Sequence, residues 1–232
     1  MSIHDGHRAR LKERFRKEGL DNFDELYVLE LLLFYCIPRI DTNPLAHRLL
    51  DHFGSLAAVL DASPEELKKV EGVNQSASTF LSLITQVGRY YQVKRTEPGK
   101  ILRTIEQCGN YLMPYFFGRE NETVFMLCLD AKCKVLGCKM IGEGSVNSAN
   151  IPIRRVVELA LAANATTVVL AHNHPSGVAI PSADDIQTTH RMAAALEAVE
   201  ITLADHIVFS RDDYVSLVQS QYYKPQEACS VR

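Results

Sequence analysis

The stretch Thr166-Thr167-Val168-Val169-Leu170-Ala171-His172-Asn173-His174-Pro175-Ser176-Gly177-Val178-Ala179-Ile180-Pro181-Ser182-Ala183-Asp184-Asp185 carries more information than any other part of the chain. Thr166 to Ala171 is uncharged and rich in β-branched residues, so it reads as a strand buried on both faces. His172 and His174 stand at its end and point the same way, because strand side chains alternate. A proline-punctuated loop then leads to Ser182, which reads as a helix N-cap followed by the first-turn acids Asp184 and Asp185. The helix macrodipole favours an ionised carboxylate there. Two neutral imidazoles plus one carboxylate make a three-ligand zinc set with a fourth position open to water, the layout of a catalytic rather than a structural site. Asp184 stands one residue away as the alternative ligand. No cysteine falls in the loop, so a deaminase-type His/Cys/Cys set is not supported.

Working outward, the chain alternates strand and helix from about residue 101 onward. A helix from about Thr104 to Pro114 leads to a strand at Thr123 to Asp130, the turn Asp130 to Cys133, and a paired strand at Lys134 to Glu143. A helix at Pro152 to Ala163 precedes the buried strand. A helix at Ser182 to Glu200 and a strand at Asp205 to Ser210 follow it. Sheet elements alternating with helices imply an α/β sandwich. Thr96-Glu97-Pro98-Gly99-Lys100 is the best linker candidate.

Residues 1–95 are written in helical grammar. Asp24 to Phe34 begins acidic, runs apolar and stops before Pro38. Asn43-Pro44 reads as an N-cap and first-turn pair opening a helix at Leu45 to His52, with Gly54 just past its end. Ser63-Pro64-Glu65-Glu66 repeats the device for a helix that ends near Gly72, and another helix runs from about Gln75 to Lys94. The two helices around Glu71-Gly72-Val73-Asn74 resemble a helix-hairpin-helix unit, in which bare backbone N–H groups approach a DNA phosphate. Asn74 stands where a second glycine is usual, a place where Asn tolerates the left-handed conformation. Lys and Arg number 13 in residues 1–95, as do Asp and Glu, so this half is neutral. Its one basic concentration, Arg8 to Lys17, reads as a solvated helix face.

Composition narrows the class. The 232 residues are 47% hydrophobic and 23% charged, with a net charge of -3. That is ordinary for a globular protein and offers no broad nucleic-acid or membrane surface. The longest apolar run, Val28 to Ile37, is too short to span a bilayer and contains Glu30. The start of the chain does not read as a signal peptide, and the expected location is the cytoplasm. No Cys-x-x-Cys occurs, so the six cysteines read as reduced thiols.

The pattern His172-x-His174, seven residues, Ser182, two residues, Asp185 is that of the JAMM (MPN-plus) metallopeptidases. The flanking HNHPSG and PS-x-x-D resemble the RadC-type branch of that superfamily. The resemblance covers residues 20 to 220 and is strongest from Asn147 to Tyr214. It implies a helix-hairpin-helix-like all-α bundle over residues 1–95, then a JAB/MPN-like α/β sandwich over 101–224. The second domain would have a mixed sheet and a cytidine-deaminase-like layout, giving an α/β (α+β) chain. It also implies a zinc-dependent metallopeptidase or isopeptidase in which His172, His174 and Asp185 hold Zn2+. A metal-bound water, its pKa lowered to about 7, would attack an amide bond. Ser182 occupies the place of the serine that steadies the oxyanion. The upstream glutamate that serves as general base is best matched by Glu122, with Glu120, Glu143 and Glu158 as alternatives. Asp205-His206 is also typical of RadC-type sequences, and His206 stays outside the catalytic set.

Two other functions stay open at this point. The historical naming of the family for DNA repair favours a DNA-structure-binding accessory protein, with the helical domain contacting DNA and the metal domain auxiliary. A metal-dependent nuclease is the third, although magnesium-type sites prefer carboxylates to imidazoles. The expected partner is a peptide or protein whose identity the residues do not give, with no membrane. Leu31 to Ile37 and Tyr222-Tyr223 are candidate surfaces for a homo-oligomer.

Overall fold

The computed structural model describes residues 3–38, 40–96, 99–144, 151–175, 177–211 and 213–225. Its helices are α1 (Ile3–Glu18), α2 (Glu25–Cys36), α3 (Asn43–Phe53), α4 (Leu56–Asp61), α5 (Pro64–Leu67), α6 (Gln75–Arg95), α7 (Ile105–Phe116), α8 (Ile153–Ala162) and α9 (Ala183–Glu197). The strands are β1 (Thr123–Leu129), β2 (Val135–Glu143), β3 (Thr167–Asn173), β4 (Thr202–Phe209) and β5 (Tyr214–Ser216). The chain is mixed α/β, and it divides into two compact units, Met1–Gly88 and Arg89–Arg232. The division falls inside α6. Glu97 and Pro98 of the expected linker lie outside the described residues, as do Asn147 to Asn150, Ser176 and Cys229.

In the helical unit, α2 is apolar on more than one face because it serves two cores. Leu29 and Leu33 pack with Leu45, Leu49, Leu67 and Leu81, while Leu31 and Phe34 pack with Leu11. Of the run named as a candidate self-association surface, Leu31, Leu33, Phe34 and Ile37 are buried and Tyr35 is exposed. Tyr223 is buried as well, its hydroxyl donating to Leu203 O, while Tyr222 is exposed.

The capping residues were mostly readable. Asp24 caps α2, and Ser63 caps α5 through a reciprocal box with Glu66. At α3 the cap is Thr42 rather than Asn43. Asn43 and Pro44 are already helical, and Pro44 needs no N–H partner in the first turn. The helix after Ser63 closes at Leu67 and continues only as turns to Val70. Gly72 has φ of +96°, which suits glycine. Asn74 is not among the left-handed residues; its Oδ1 accepts from Ala77 N at 2.8 Å, so it caps α6. Among the first-turn amides of α6, that of Ala77 is thereby already bonded. α1 carries the Arg8 to Lys17 run read as a solvated helix face, whereas α4 gave no separate signal.

In the second unit, among the described residues, one sheet runs in the order β2-β1-β3-β4-β5. Only the β3–β4 pair is parallel, so the sheet is mixed. β1 and β3 are buried along their whole length because both faces are covered. Val124, Met126, Val168 and Leu170 pack against Val156, Ala160, Met192 and Leu196 of α8 and α9. Phe125, Leu127, Val169 and Ala171 pack against Ile105, Leu112 and Phe116 of α7. β3 extends past the expected Ala171 to Asn173, and β4 begins three residues before the expected Asp205. β5, three residues long, gave no sequence signal.

Candidate metal centre

Alternation along β3 sets the site. Val168 and Leu170 face α9, so His172 and then His174 come out on that same side. The ladder persists past the strand end, with His174 N donating to Phe209 O at 2.8 Å. Gly177, with φ of +87°, turns the loop, and Gly177 N donates to His174 O. The loop returns so that Val178 O accepts from His174 Nδ1 at 3.0 Å. A carbonyl only accepts, so His174 carries its hydrogen on Nδ1 and turns a bare Nε2 inward.

α9 supplies the carboxylate. Ser182 is its N-cap, with φ of -80° and ψ of 168°, and forms a capping box with Asp185. Asp185 N donates to Ser182 Oγ at 3.1 Å, while Ser182 N and Oγ donate to Asp185 Oδ2 at 2.7 and 2.6 Å. Oδ2 is thus held, and Oδ1 lies 3.2 Å from His172 Nε2. Asp185, buried on the first turn of α9, benefits from the macrodipole, and Asp184 is exposed to solvent.

His172, His174 and Asp185 form a cluster able to hold a metal ion. The Nε2 atoms of the two histidines are 2.9 Å apart, and Asp185 oxygens lie 3.2 and 3.5 Å from them. Donors around a tetrahedral zinc with bonds of about 2.0–2.1 Å stand roughly 3.3 Å apart. The residues fit such an ion. His172 and Asp185 are 0% and 1% exposed at the side chain, and His174 is 20% exposed, so solvent reaches the cluster from the His174 side. The pKa of His174 is raised, chiefly because the protonated ring can donate from Nε2 to Asp185, and Glu122 contributes in the same direction.

Glu122 stands just before β1, half-buried, and its carboxylate acts electrostatically on His174. Asn173, pointing to the opposite face from its histidine neighbours, holds this segment. Its Oδ1 accepts from Thr123 N at 2.8 Å, and its Nδ2 donates to Asn121 O at 3.2 Å. Of the alternatives, Glu143 pairs with Arg119 at 2.8 Å, and Glu158 with the exposed Arg154 at 2.7 Å.

Two further residues adjoin the cluster: His206, which the sequence left outside the catalytic set, and Thr189, which no motif marked. His206 Nε2 lies 2.9 Å from His172 Nδ1, and Thr189 Oγ1 lies 2.6 Å from His206 Nδ1. His206 is fully buried, which lowers its pKa to about 3, helped by the neighbouring His172. Its orientation follows from a register shift: Val168 pairs Leu203, but Val169 pairs Asp205. The extra residue flips the alternation and turns His206 towards α9. Thr189 had one available signal, its position four residues after Asp185 on the same helical face.

Comparison with known proteins adds the following. The family model described as a RadC-like JAB domain matches residues 102–222. A UPF0758 protein of Fusobacterium nucleatum subsp. nucleatum is 31% identical over 221 residues, covering 92% of this chain and 95% of that protein. A UPF0758 protein of Ruegeria pomeroyi is 34% identical over 216 residues, covering 93% and 96% respectively.

Proposed function

The chain belongs to the RadC-like JAB domain family, and from that premise we propose that it is a zinc-dependent hydrolase cleaving an amide bond in a peptide or protein. The observation that carries this reading is the convergence of two imidazole nitrogens and a carboxylate, 2.9 to 3.5 Å apart, at the end of a buried strand. An arrangement of acceptors this close favours a cation among them.

Each residue has an assigned part. His172, His174 and Asp185 are the ligands. A zinc ion held by them would polarise a scissile carbonyl and bring the pKa of a water to about 7. Glu122 is the proton carrier, taking a proton from the attacking water and returning it to the leaving amine. Its support is its coupling to His174 and the bracing of Asn121 and Thr123 by Asn173. Ser182 is assigned to the oxyanion; its hydroxyl hydrogen is directed to Asp185 Oδ2 and would have to turn to do this. No observation favours the nuclease reading, since the ligand set has two imidazoles and one carboxylate.

The test is zinc content after purification without added metal, for wild type, His174→Ala and Asp185→Ala, followed by hydrolysis of peptide and isopeptide substrates with and without a chelator. We expect stoichiometric zinc in wild type only, and cleavage that stops on chelation and returns with zinc. A wild type that neither retains nor takes up zinc would sink the reading.

A further inference from the structure

The hydrogen bonds behind the cluster run from one candidate ligand back to another. Thr189 sits one helical turn after Asp185, and its hydroxyl donates to Asp185 O at 2.6 Å. This is the ordinary behaviour of a mid-helix threonine, whose stiff χ1 aims Oγ1 at the carbonyl four residues back. A carbonyl only accepts, so the hydroxyl's single hydrogen is committed there. Towards His206 Nδ1, also 2.6 Å away, Thr189 Oγ1 can then only accept. His206 therefore carries its hydrogen on Nδ1. The ring is fully buried, with a hydroxyl and another imidazole as its partners, so it is held neutral and its Nε2 is a lone pair. That lone pair faces His172 Nδ1 at 2.9 Å and holds a hydrogen on it. His172 Nε2 is left bare on the side of His174 and Asp185.

We propose that Thr189 is a positioning residue: acting through His206, its hydroxyl selects the tautomer in which His172 offers an unprotonated Nε2 to a metal. The relay also closes on itself, since it begins at the main chain of Asp185 and ends at a ring 3.2 Å from that residue's carboxylate. A shift of α9 along its axis would thus disturb both ligands together. The proposal rests on the metal-site reading above.

Removing the hydroxyl gives a directional result. With Thr189→Val, His206 Nδ1–H faces a methyl group, and the ring is relieved by moving its hydrogen to Nε2. That hydrogen is donated to His172 Nδ1, so His172 must carry its own on Nε2, in the ligand position. Loss of such an outer partner costs about 10- to 100-fold in metal affinity.

The experiment uses the full chain. Ring 15N shifts of His172 are read on metal-free protein at pH about 9, where imidazoles are neutral, and zinc affinity is measured by competition with a chromophoric chelator. Wild type and Thr189→Ser should show His172 protonated on Nδ1 and similar zinc affinity. Thr189→Val should show it protonated on Nε2 and bind zinc about 10- to 100-fold more weakly. Thr189→Ala serves the same purpose if the valine variant fails to fold. In a His206→Gln background, the glutamine carbonyl takes over as acceptor, and Thr189→Val should no longer change zinc affinity. An unchanged His172 tautomer in Thr189→Val, or a Thr189→Ser variant as weak as the valine one, overturns the relay. A wild type that refuses zinc while its tautomer still responds to Thr189→Val removes the metal reading and leaves the relay standing.

Discussion

Ser182 has two assigned parts, helix cap and oxyanion partner, and they separate by substitution. An N-cap serine changed to alanine costs about 1 kcal/mol, whereas glycine costs only a few tenths. Ser182→Ala should therefore lower the thermal midpoint by a few degrees and Ser182→Gly barely at all. Both lack the hydroxyl, so equal loss of kcat in zinc-loaded protein assigns it to the chemistry, and loss in the alanine variant alone assigns it to the cap. Asp205 gives a pH prediction. Its carboxylate accepts from His206 N, Val218 N and Ser216 Oγ, yet burial outweighs these bonds and raises its pKa to about 6. The folded value lies above the unfolded value of about 3.9, so on raising the pH the unfolded chain loses the proton first. The contribution to stability is present below about pH 4 and is lost as pH rises to about 6, on the order of 3 kcal/mol. His206, with its lowered pKa, acts in the opposite sense over the same range, so the urea midpoint should rise more from pH 4 to pH 6 in Asp205→Asn than in wild type; an equal change in both would assign the effect to other groups. His172, His174 and Asp185 were legible because alternation and capping are local rules. The placing of His206 beside His172, and with it the part of Thr189, was not, because a bulge in β4 reverses which of its side chains face α9.

At the scale of elements, the contact between α7 and β5 shows what local rules miss. Gly109 lies inside α7, where alanine would ordinarily be favoured by about 1 kcal/mol. A Cβ there would overlap the Tyr214 ring, whose Cζ and both Cε atoms would all lie within 2.9 Å of it. Overpacking of this kind costs about 1–3 kcal/mol, so the contact outweighs the propensity. Gly109→Ala should lower the urea midpoint, and adding Tyr214→Ala should recover part of the loss; a more stable single variant would contradict the packing. Neither β5 nor this requirement was readable, since three residues carry no periodicity and the partner lies over a hundred residues away. The elements with strong caps were readable. Ser63, Thr104 and Ser182 each accept from an N–H three residues on, so their helices begin where a hydroxyl precedes the apolar pattern. Asn43-Pro44 misled by one position because asparagine is a good cap and also an acceptable first helical residue.

For the whole molecule, the change from helical to alternating grammar was readable from composition and period. The family match begins at residue 102, just after Pro98-Gly99, while the compact units divide within α6, whose helix runs from Gln75 to Arg95. The sheet-bearing unit places its candidate ligands on β3, at the centre of the sheet, and on α9, which covers that strand's face. A metal joining them would link two layers of the fold that otherwise meet through apolar contacts and the Thr189–His206 relay. Anything that binds the folded form alone stabilises it by mass action, by about 2.7 kcal/mol when free ligand is 100 times its Kd. Amides of β1, β3 and β4 that exchange only through unfolding of this unit should then exchange about 100-fold more slowly when zinc is added to that level. His174→Ala, lacking the ligand nearest solvent, should show no such slowing at the same zinc concentration. Equal slowing in the variant would mean that zinc acts elsewhere on the chain. No slowing in a wild type shown to bind zinc would mean that the ion also binds the unfolded form, and that the two layers are not joined through it.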